Sequence, residues 1–226
     1  MRDTVSYDKG LAKTLLDAFP TEHINLSKEK QQIASKIYNL LSEGNPVSIE
    51  EVAESLDMEK DNVRRITDEW AGMYYNHEGN IIGYWGLATE KTGHRFNLDK
   101  KTLYTWCAWD TLFIPQIIAK TARVESRDPV TKKIIKLTVT PNDGIMNVSP
   151  SEAVVSFMIP DTECVKADVI KSFCNYVHFF ESKESAEKWI SESEKKEELL
   201  ILPIAEAYEI GMLRNEQQLG DVLETA

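Results

Sequence analysis

Apolar residues recur every three or four positions in the first third of the chain, the spacing of an amphipathic helix. The segment 28–41 is the clearest example, with Ser27 as a candidate N-cap and Gly44 as a stop. Its predicted inward face is formed by Ile33, Ile37, Leu40 and Leu41. Ser48 and Glu51 have the spacing of a capping box, which predicts that a second helix begins there.

A third helix is predicted near residues 60–73, and residues 79–97 have the pattern of two strands around a loop that contains Gly93. This order is typical of a helix-turn-helix with a wing. Residues 28–73 nevertheless carry six Lys or Arg against ten Asp or Glu, so a phosphate backbone would be repelled. We therefore predict a helical, winged-helix-like N-terminal module over residues 1–97 that packs on the rest of the chain.

The pattern becomes rich in strands beyond a helix predicted from about Lys100 to Pro115. Apolar and polar residues alternate in "TARVESRD", "IIKLTVTP" and "EAVVSFMIP", and the first two flank the turn "DPVTKK". A second sheet is expected among these strands. Residues 98–226 are thus predicted to form an α+β core with flanking helices.

The last third of the chain continues this mixture of helices and strands. "ADVIKSFCNYVHFF" predicts a short helix that leads into a strand, with Cys174 near the junction. Ser185 is the predicted cap of the following helix, and "LLILPI" precedes a last helix. The polar C-terminal segment "RNEQQLGDVLETA" is expected to fray.

The bulk composition narrows the classes of partner and the compartment. The 226 residues are 42% hydrophobic and 28% charged, which is ordinary for a globular protein, and the net charge of −11 opposes binding to nucleic acid or anionic lipid. The N-terminal sequence lacks the pattern of a secretory signal, and no stretch is apolar enough to span a bilayer. Neither nucleic acid nor a membrane is therefore expected as a partner. Three cysteines, an odd number, favour free thiols in a reducing cytoplasm.

The stretch "LYTWCAWDTLFIP" puts Cys107 three residues before Asp110, a spacing that places both on one face of a helix. In the simplest interpretation Cys107 is a small buried apolar residue and Asp110 a helix-end carboxylate. A carboxylate also disfavours a neighbouring thiolate unless it takes up the thiol proton and delivers it elsewhere. A second thiol would allow two sulfurs to hold a soft, linear ion such as Hg(II).

Two segments resemble the paired signatures of the organomercurial lyases, also called alkylmercury lyases. They are "LYTWCAWDTLFIP", followed by "TARV", and "SFCNYVHFF", each with its own cysteine. The segments "GNIIGYWGL", "AEKW" and "AEAY" are also similar to that family. The resemblance extends from about residue 30 to residue 215.

The resemblance implies an enzyme that cleaves a carbon–mercury bond by protonolysis and keeps Hg(II) on its thiolates. It assigns the catalytic roles to Cys107, Asp110 and Cys174, with both sulfurs as ligands of the product Hg(II) and Asp110 as a candidate further ligand. It also implies a winged-helix-like module on antiparallel sheets, a cytoplasmic location, and mercuric reductase as the acceptor of Hg(II). No cofactor is expected beyond external thiols that release the product. The alternative is a soft-metal sensor or carrier that binds mercury without breaking a bond.

Two residues depart from the family pattern, and three others allow either a structural or a functional interpretation. Asn175 stands where some family members carry a further cysteine, and Cys164 matches nothing in the family pattern, so we interpret it as a spectator rather than a mercury relay. Trp106 and Trp109 are either ordinary core residues or the walls of a pocket that excludes water. His178 is interpreted as a structural histidine rather than a ligand or base.

Overall fold

Helices precede the first strand of this protein, whose computed structural model describes residues 9–20 and 25–223. The helices of this part are α1 (Lys9–Asp17), α2 (Lys28–Leu41), α3 (Ile49–Leu56) and α4 (Lys60–Asp68). The predictions made for residues 1–8, 21–24 and 224–226 lie outside the described residues.

The predicted caps of α2 and α3 are confirmed. The Ser27 hydroxyl accepts a hydrogen bond from the backbone N–H of Lys30. Ser48 and Glu51 form both halves of a capping box, because each side chain accepts from the backbone N–H of the other residue. Local chemistry therefore fixes where these helices begin.

The strands form two antiparallel sheets, as predicted. The larger sheet has the order β1-β2-β3-β5-β4-β6-β7-β8 and the smaller one β10-β9-β11. The strands of the larger sheet are β1 (Met73–Tyr75), β2 (Ile81–Tyr84), β3 (Leu87–Ala88), β4 (His94–Leu98), β5 (Lys101–Thr105), β6 (Ala122–Arg127), β7 (Ile134–Thr140) and β8 (Gly144–Ser149). Those of the smaller sheet are β9 (Val154–Met158), β10 (Phe179–Phe180) and β11 (Leu199–Pro203).

Residues 79–97 form more strands than predicted. A turn at Trp85 and Gly86, both with positive φ, separates β2 from β3, so three strands stand where the pattern indicated two. The predicted module boundary at residue 97 lies inside β4, which pairs with β5 on one side and β6 on the other. That boundary stays a prediction.

The prediction that a helix begins near Lys100 is wrong, because residues 101–105 form strand β5. Its partners β3 and β4 lie on either side and satisfy its backbone hydrogen bonds, and its threonines and tyrosine suit an extended chain. Helix α5 begins only at Asp110 and runs to Ile117, with Pro115 inside it.

The last helices are α6 (Thr162–Ser172), α7 (Lys183–Ser191) and α8 (Ile204–Leu219), with short 3₁₀ turns at Cys174–Tyr176 and Lys196–Glu198. The predicted helix-to-strand transition at Cys174 and the strand before the last helix are confirmed. Across the described residues, no helix combines the length and apolarity needed to cross a membrane.

Two predictions for this region need correction. Ser182, not Ser185, caps α7 and accepts a hydrogen bond from the Ser185 N–H. The segment from Arg214 to Leu219 does not fray, because it belongs to α8 and buries Arg214, Asn215 and Gln218. Helix α8 packs on α5 and α2, so these three polar residues face other elements rather than water.

The carboxylate of Asp128 joins the turn between β6 and β7 to the start of α7. It accepts hydrogen bonds from the backbone N–H groups of Val130, Thr131 and Glu181 and from the Ser185 hydroxyl, at 2.7 to 3.0 Å. Burial raises the pKa of Asp128, but these hydrogen bonds outweigh it and the net pKa is lowered. The bonded carboxylate therefore stabilises the fold above its ordinary pKa.

We predict that Asp128→Ala lowers the free energy of unfolding by about 3 kcal/mol at neutral pH, because three backbone N–H groups and the buried Ser185 hydroxyl lose their acceptor. Ser185→Ala removes one of the four bonds and is expected to cost about 1 kcal/mol. Urea unfolding measures both. The difference between Asp128→Ala and the parent should shrink as the pH falls below about 4, where the carboxylate is protonated. An equal loss in the two variants would contradict this account.

Candidate active site

The fold brings together the three side chains that the sequence singled out. The Sγ atoms of Cys107 and Cys174 and a carboxylate oxygen of Asp110 all lie within 4.8 Å of one another. The residues are 0%, 3% and 5% exposed, so the cluster is shielded from water. Cys164 is exposed and lies outside the cluster.

Cys107 and Asp110 meet in the turn between β5 and α5. The carboxylate of Asp110 reaches back one turn and its Oδ2 accepts a hydrogen bond from the Cys107 N–H at 2.8 Å. The Thr105 hydroxyl donates to the Cys107 carbonyl at 2.9 Å. The contact between Cys107 and Asp110 that the three-residue spacing predicted is present. It forms in the turn that enters α5, not within a helix.

Cys174 reaches the cluster from the short turn that follows α6. Helix α6 is broken at Asp168, whose Oδ1 accepts from the Lys171 N–H at 3.0 Å and so starts the last turn before Cys174. The Ala108 N–H donates to the Val177 carbonyl at 3.0 Å, which ties the two cysteine-bearing segments together. His178 has a structural contact, a 2.8 Å hydrogen bond between its Nε2 and the Asn175 carbonyl.

Gly86 is a site residue that the sequence analysis missed. A Cβ atom there would lie 2.4 Å from Cγ of Asp110, closer than any non-bonded contact allows, and its φ is +104°. Only glycine leaves room for the carboxylate at this approach. Nothing local in the segment "GYWGL" predicts this role, because the close approach is made by Asp110, which lies further along the chain.

The site favours protonated thiols and a carboxyl group that titrates near neutrality. Burial raises the pKa of Asp110 to about 6, while hydrogen bonds from Cys107 and the charge of Arg214 limit the rise. Burial and the neighbours Cys174 and Asp110 raise the pKa of Cys107 well above its ordinary value. The hydrogen bond from Cys107 lowers the pKa of Cys174, but burial and the charge of Asp110 outweigh it. Asp110 is therefore the group of this cluster that most readily accepts a proton from a thiol.

A small cavity of about 10 Å³ adjoins the cluster. Its wall is mainly aromatic and consists of Phe19, Trp85, Gly86, Trp106, Trp109, Asp110, Phe113, Val169, Phe173, Cys174 and Arg214. Trp106 and Trp109 thus line a pocket, and Trp109 is also a core residue whose Nε1 donates to the Ala207 carbonyl. An apolar wall of this kind excludes water from the thiols.

Comparison with known proteins points to one family. The family model described as alkylmercury lyase matches residues 87–213. An alkylmercury lyase from Pseudomonas putida is 36% identical over 212 residues, which cover 92% of this chain and 96% of that protein. The chain belongs to the alkylmercury lyase family.

Other alkylmercury lyases agree with this assignment. The protein from Staphylococcus epidermidis is 37% identical over 175 residues, 77% of each chain, and the one from Streptomyces lividans is 37% identical over 77% of this chain and 78% of its own. The fold is that of a crystal structure titled the mercury-bound form of MerB2, with a TM-score of 0.73 and 23% identity over 93% of this chain and 98% of that one. Gly86 and Arg214 lie one residue beyond either end of the alkylmercury lyase match, and both reach the cavity.

We predict that Gly86→Ala lowers carbon–mercury cleavage at least about tenfold, because the new methyl group displaces the Asp110 carboxylate. Gly79→Ala is the matched control, since Gly79 also has positive φ (+81°) but a Cβ there meets no atom within 4 Å. It should share the backbone strain and keep the activity. Single-turnover hydrocarbon release measures both, and an equal loss in the two variants would assign the effect to backbone strain alone.

Proposed function

We propose that this chain is an organomercurial lyase that cleaves carbon–mercury bonds by protonolysis, with Cys107 and Cys174 as sulfur ligands and Asp110 as the proton carrier. The observation that carries the proposal is the buried cluster of two thiols and one carboxylate within 4.8 Å. Sulfur is the ligand that a soft ion such as Hg(II) prefers, and two sulfurs satisfy its linear geometry. A third, proton-transferring group is needed only if a bond to carbon must be broken.

The first step is an exchange of thiolates on the substrate R–Hg–X, where X is a thiolate from solution. One buried thiol forms a sulfur–mercury bond, the bond from mercury to X breaks, and the thiol proton leaves with X as HX. The second thiol then binds mercury through its sulfur and passes its proton to the Asp110 carboxylate. The high pKa of each buried thiol makes this nearby acceptor necessary at neutral pH.

The second step breaks the bond between carbon and mercury. Two thiolates on mercury push electron density onto the carbon atom, and the carboxylic acid of Asp110 delivers its proton there. The electron pair of the carbon–mercury bond takes the proton, RH leaves, and Hg(II) stays on two thiolates beside the Asp110 carboxylate. A pKa of about 6 suits both halves of this cycle, because the group accepts and releases a proton readily near neutral pH.

The product must leave the buried cluster by thiol exchange. We propose that external thiols withdraw Hg(II), that mercuric reductase in the cytoplasm receives it, and that no further cofactor takes part. The N-terminal residues 1–97 are proposed to be a winged-helix-like module that supplies cavity wall, including Trp85 and Gly86, and has no nucleic acid or membrane partner. The surplus of acidic over basic residues in this module supports the absence of a nucleic acid partner.

We predict that Cys107→Ser and Cys174→Ser each abolish cleavage of phenylmercury, whereas Cys164→Ser keeps most of it. The first two thiols belong to the buried cluster, and Cys164 is exposed outside it. Benzene release per protein in a single turnover is the measurement. A folded but inactive Cys164→Ser protein would contradict the assignment of the two ligands.

Asp110→Asn separates a lyase from a mercury carrier, the alternative function. Asparagine keeps the shape of the carboxylate but has no transferable proton, so we predict that the variant still captures methylmercury yet releases methane at least about a hundredfold more slowly. Methane per bound mercury in a single turnover measures this, with circular dichroism as the folding control. Methane release at the parent rate would remove Asp110 from the mechanism and favour another proton source.

A further inference from the structure

Arg214 is a buried charge in the cavity wall that the mechanism above does not use. It lies on α8, is 5% exposed, and shares the cavity with Asp110 and Cys174. Its guanidinium carbon lies 4.3 Å from the ring centre of Phe113 and 5.8 Å from that of Trp85. Aromatic faces therefore hold the guanidinium in place through cation–π contacts.

The guanidinium is not locked in an ion pair. Within the ranges 9–20 and 25–223, no carboxylate oxygen lies within 4.0 Å of it. Its Nη1 donates a 3.3 Å hydrogen bond to Oδ1 of Asn215, which is a neutral partner. A buried charge is costly unless another charge balances it, and arginine stays protonated in proteins. Asp110 is the carboxylate that lines the same cavity.

Counting charges through the proposed reaction gives this arginine a role, so the inference rests on the proposed function. Before cleavage the negative charge of the cluster is on the Asp110 carboxylate. When the second thiolate binds mercury and Asp110 takes the proton, the charge moves to the mercury centre, which then carries two thiolates and one carbon. When carbon is protonated, the charge returns to Asp110. One negative charge thus remains in a water-excluded space throughout.

We propose that Arg214 is a positioning residue that supplies the fixed counter-charge for this moving negative charge. It contacts neither the sulfurs nor the reacting carbon in this account; it acts through the field it creates across the cavity. A preorganised charge of this kind stabilises developing charge without reorganising during the step. Its attachment to aromatic faces, rather than to one carboxylate, lets it serve both positions of the charge.

The test compares Arg214→Lys with Arg214→Gln in the full chain. Both variants lose the flat guanidinium that packs on Phe113, but only lysine keeps the charge. With phenylmercury in a single turnover, we expect Arg214→Gln to release benzene at least about tenfold more slowly than Arg214→Lys, which corresponds to about 1.4 kcal/mol in the barrier. Capture of phenylmercury, followed as loss of free thiol, should stay within about threefold of the parent in both. Arg123→Gln removes a positive charge from an exposed position of β6 and should leave the rate unchanged.

The outcomes separate this inference from the function itself. Equal release rates in the lysine and glutamine variants would overturn it, because packing rather than charge would then explain any loss. Capture and release that fall together would also overturn it, since a structural role affects both. If the parent captures phenylmercury but releases no benzene, the lyase proposal fails, and this role fails with it. Circular dichroism and thermal unfolding establish that each variant is folded.

Discussion

The structure depends on keeping one carboxylate and two thiols together out of water. Burial disfavours the charged form of each group, so none of them ionises without help from its surroundings. Asp110 receives that help from the Cys107 N–H at 2.8 Å and from the positive charge of Arg214, and it becomes the easiest of the three to ionise. The turn before α5, the gap at Gly86 and the aromatic wall are the features that make such a cluster geometrically feasible.

Local sequence chemistry predicted the parts of the fold that depend on neighbours in the chain. The cap at Ser27 and the capping box at Ser48 are decided within four residues, and alternation in residues 122–140 is enough to indicate a hairpin. Strand β5 could not be found this way, because its extended form is decided by pairing with β3 and β4. The contact between Cys107 and Asp110 was predicted even so, since a side chain that reaches back over a helix-entry turn spans the same three residues as a helix face.

The residues that sequence reasoning missed owe their roles to distant parts of the chain. Gly86 matters because Asp110, 24 positions later, lies against it, and no local pattern carries that information. Arg214 stands in a polar segment that predicted fraying, yet the flat face of a guanidinium packs on Phe113 as an apolar group would. Polar composition therefore gave a false indication of exposure at the end of α8. The three candidate catalytic residues, by contrast, were recognisable from the resemblance of their own motifs.

The exposure of Cys164 gives the molecule a natural attachment point. This thiol is open to solvent, while Cys107 and Cys174 are buried, so a bulky maleimide reagent reaches it first. It stands on α6, which leads through the break at Asp168 into the turn that carries Cys174. A fluorophore or spin label on Cys164 would therefore sit on the helix that leads to the buried thiol of Cys174, without occupying the cavity. Entry of a mercurial into the closed site could then be followed as a change in label mobility, with the native cysteines left in place.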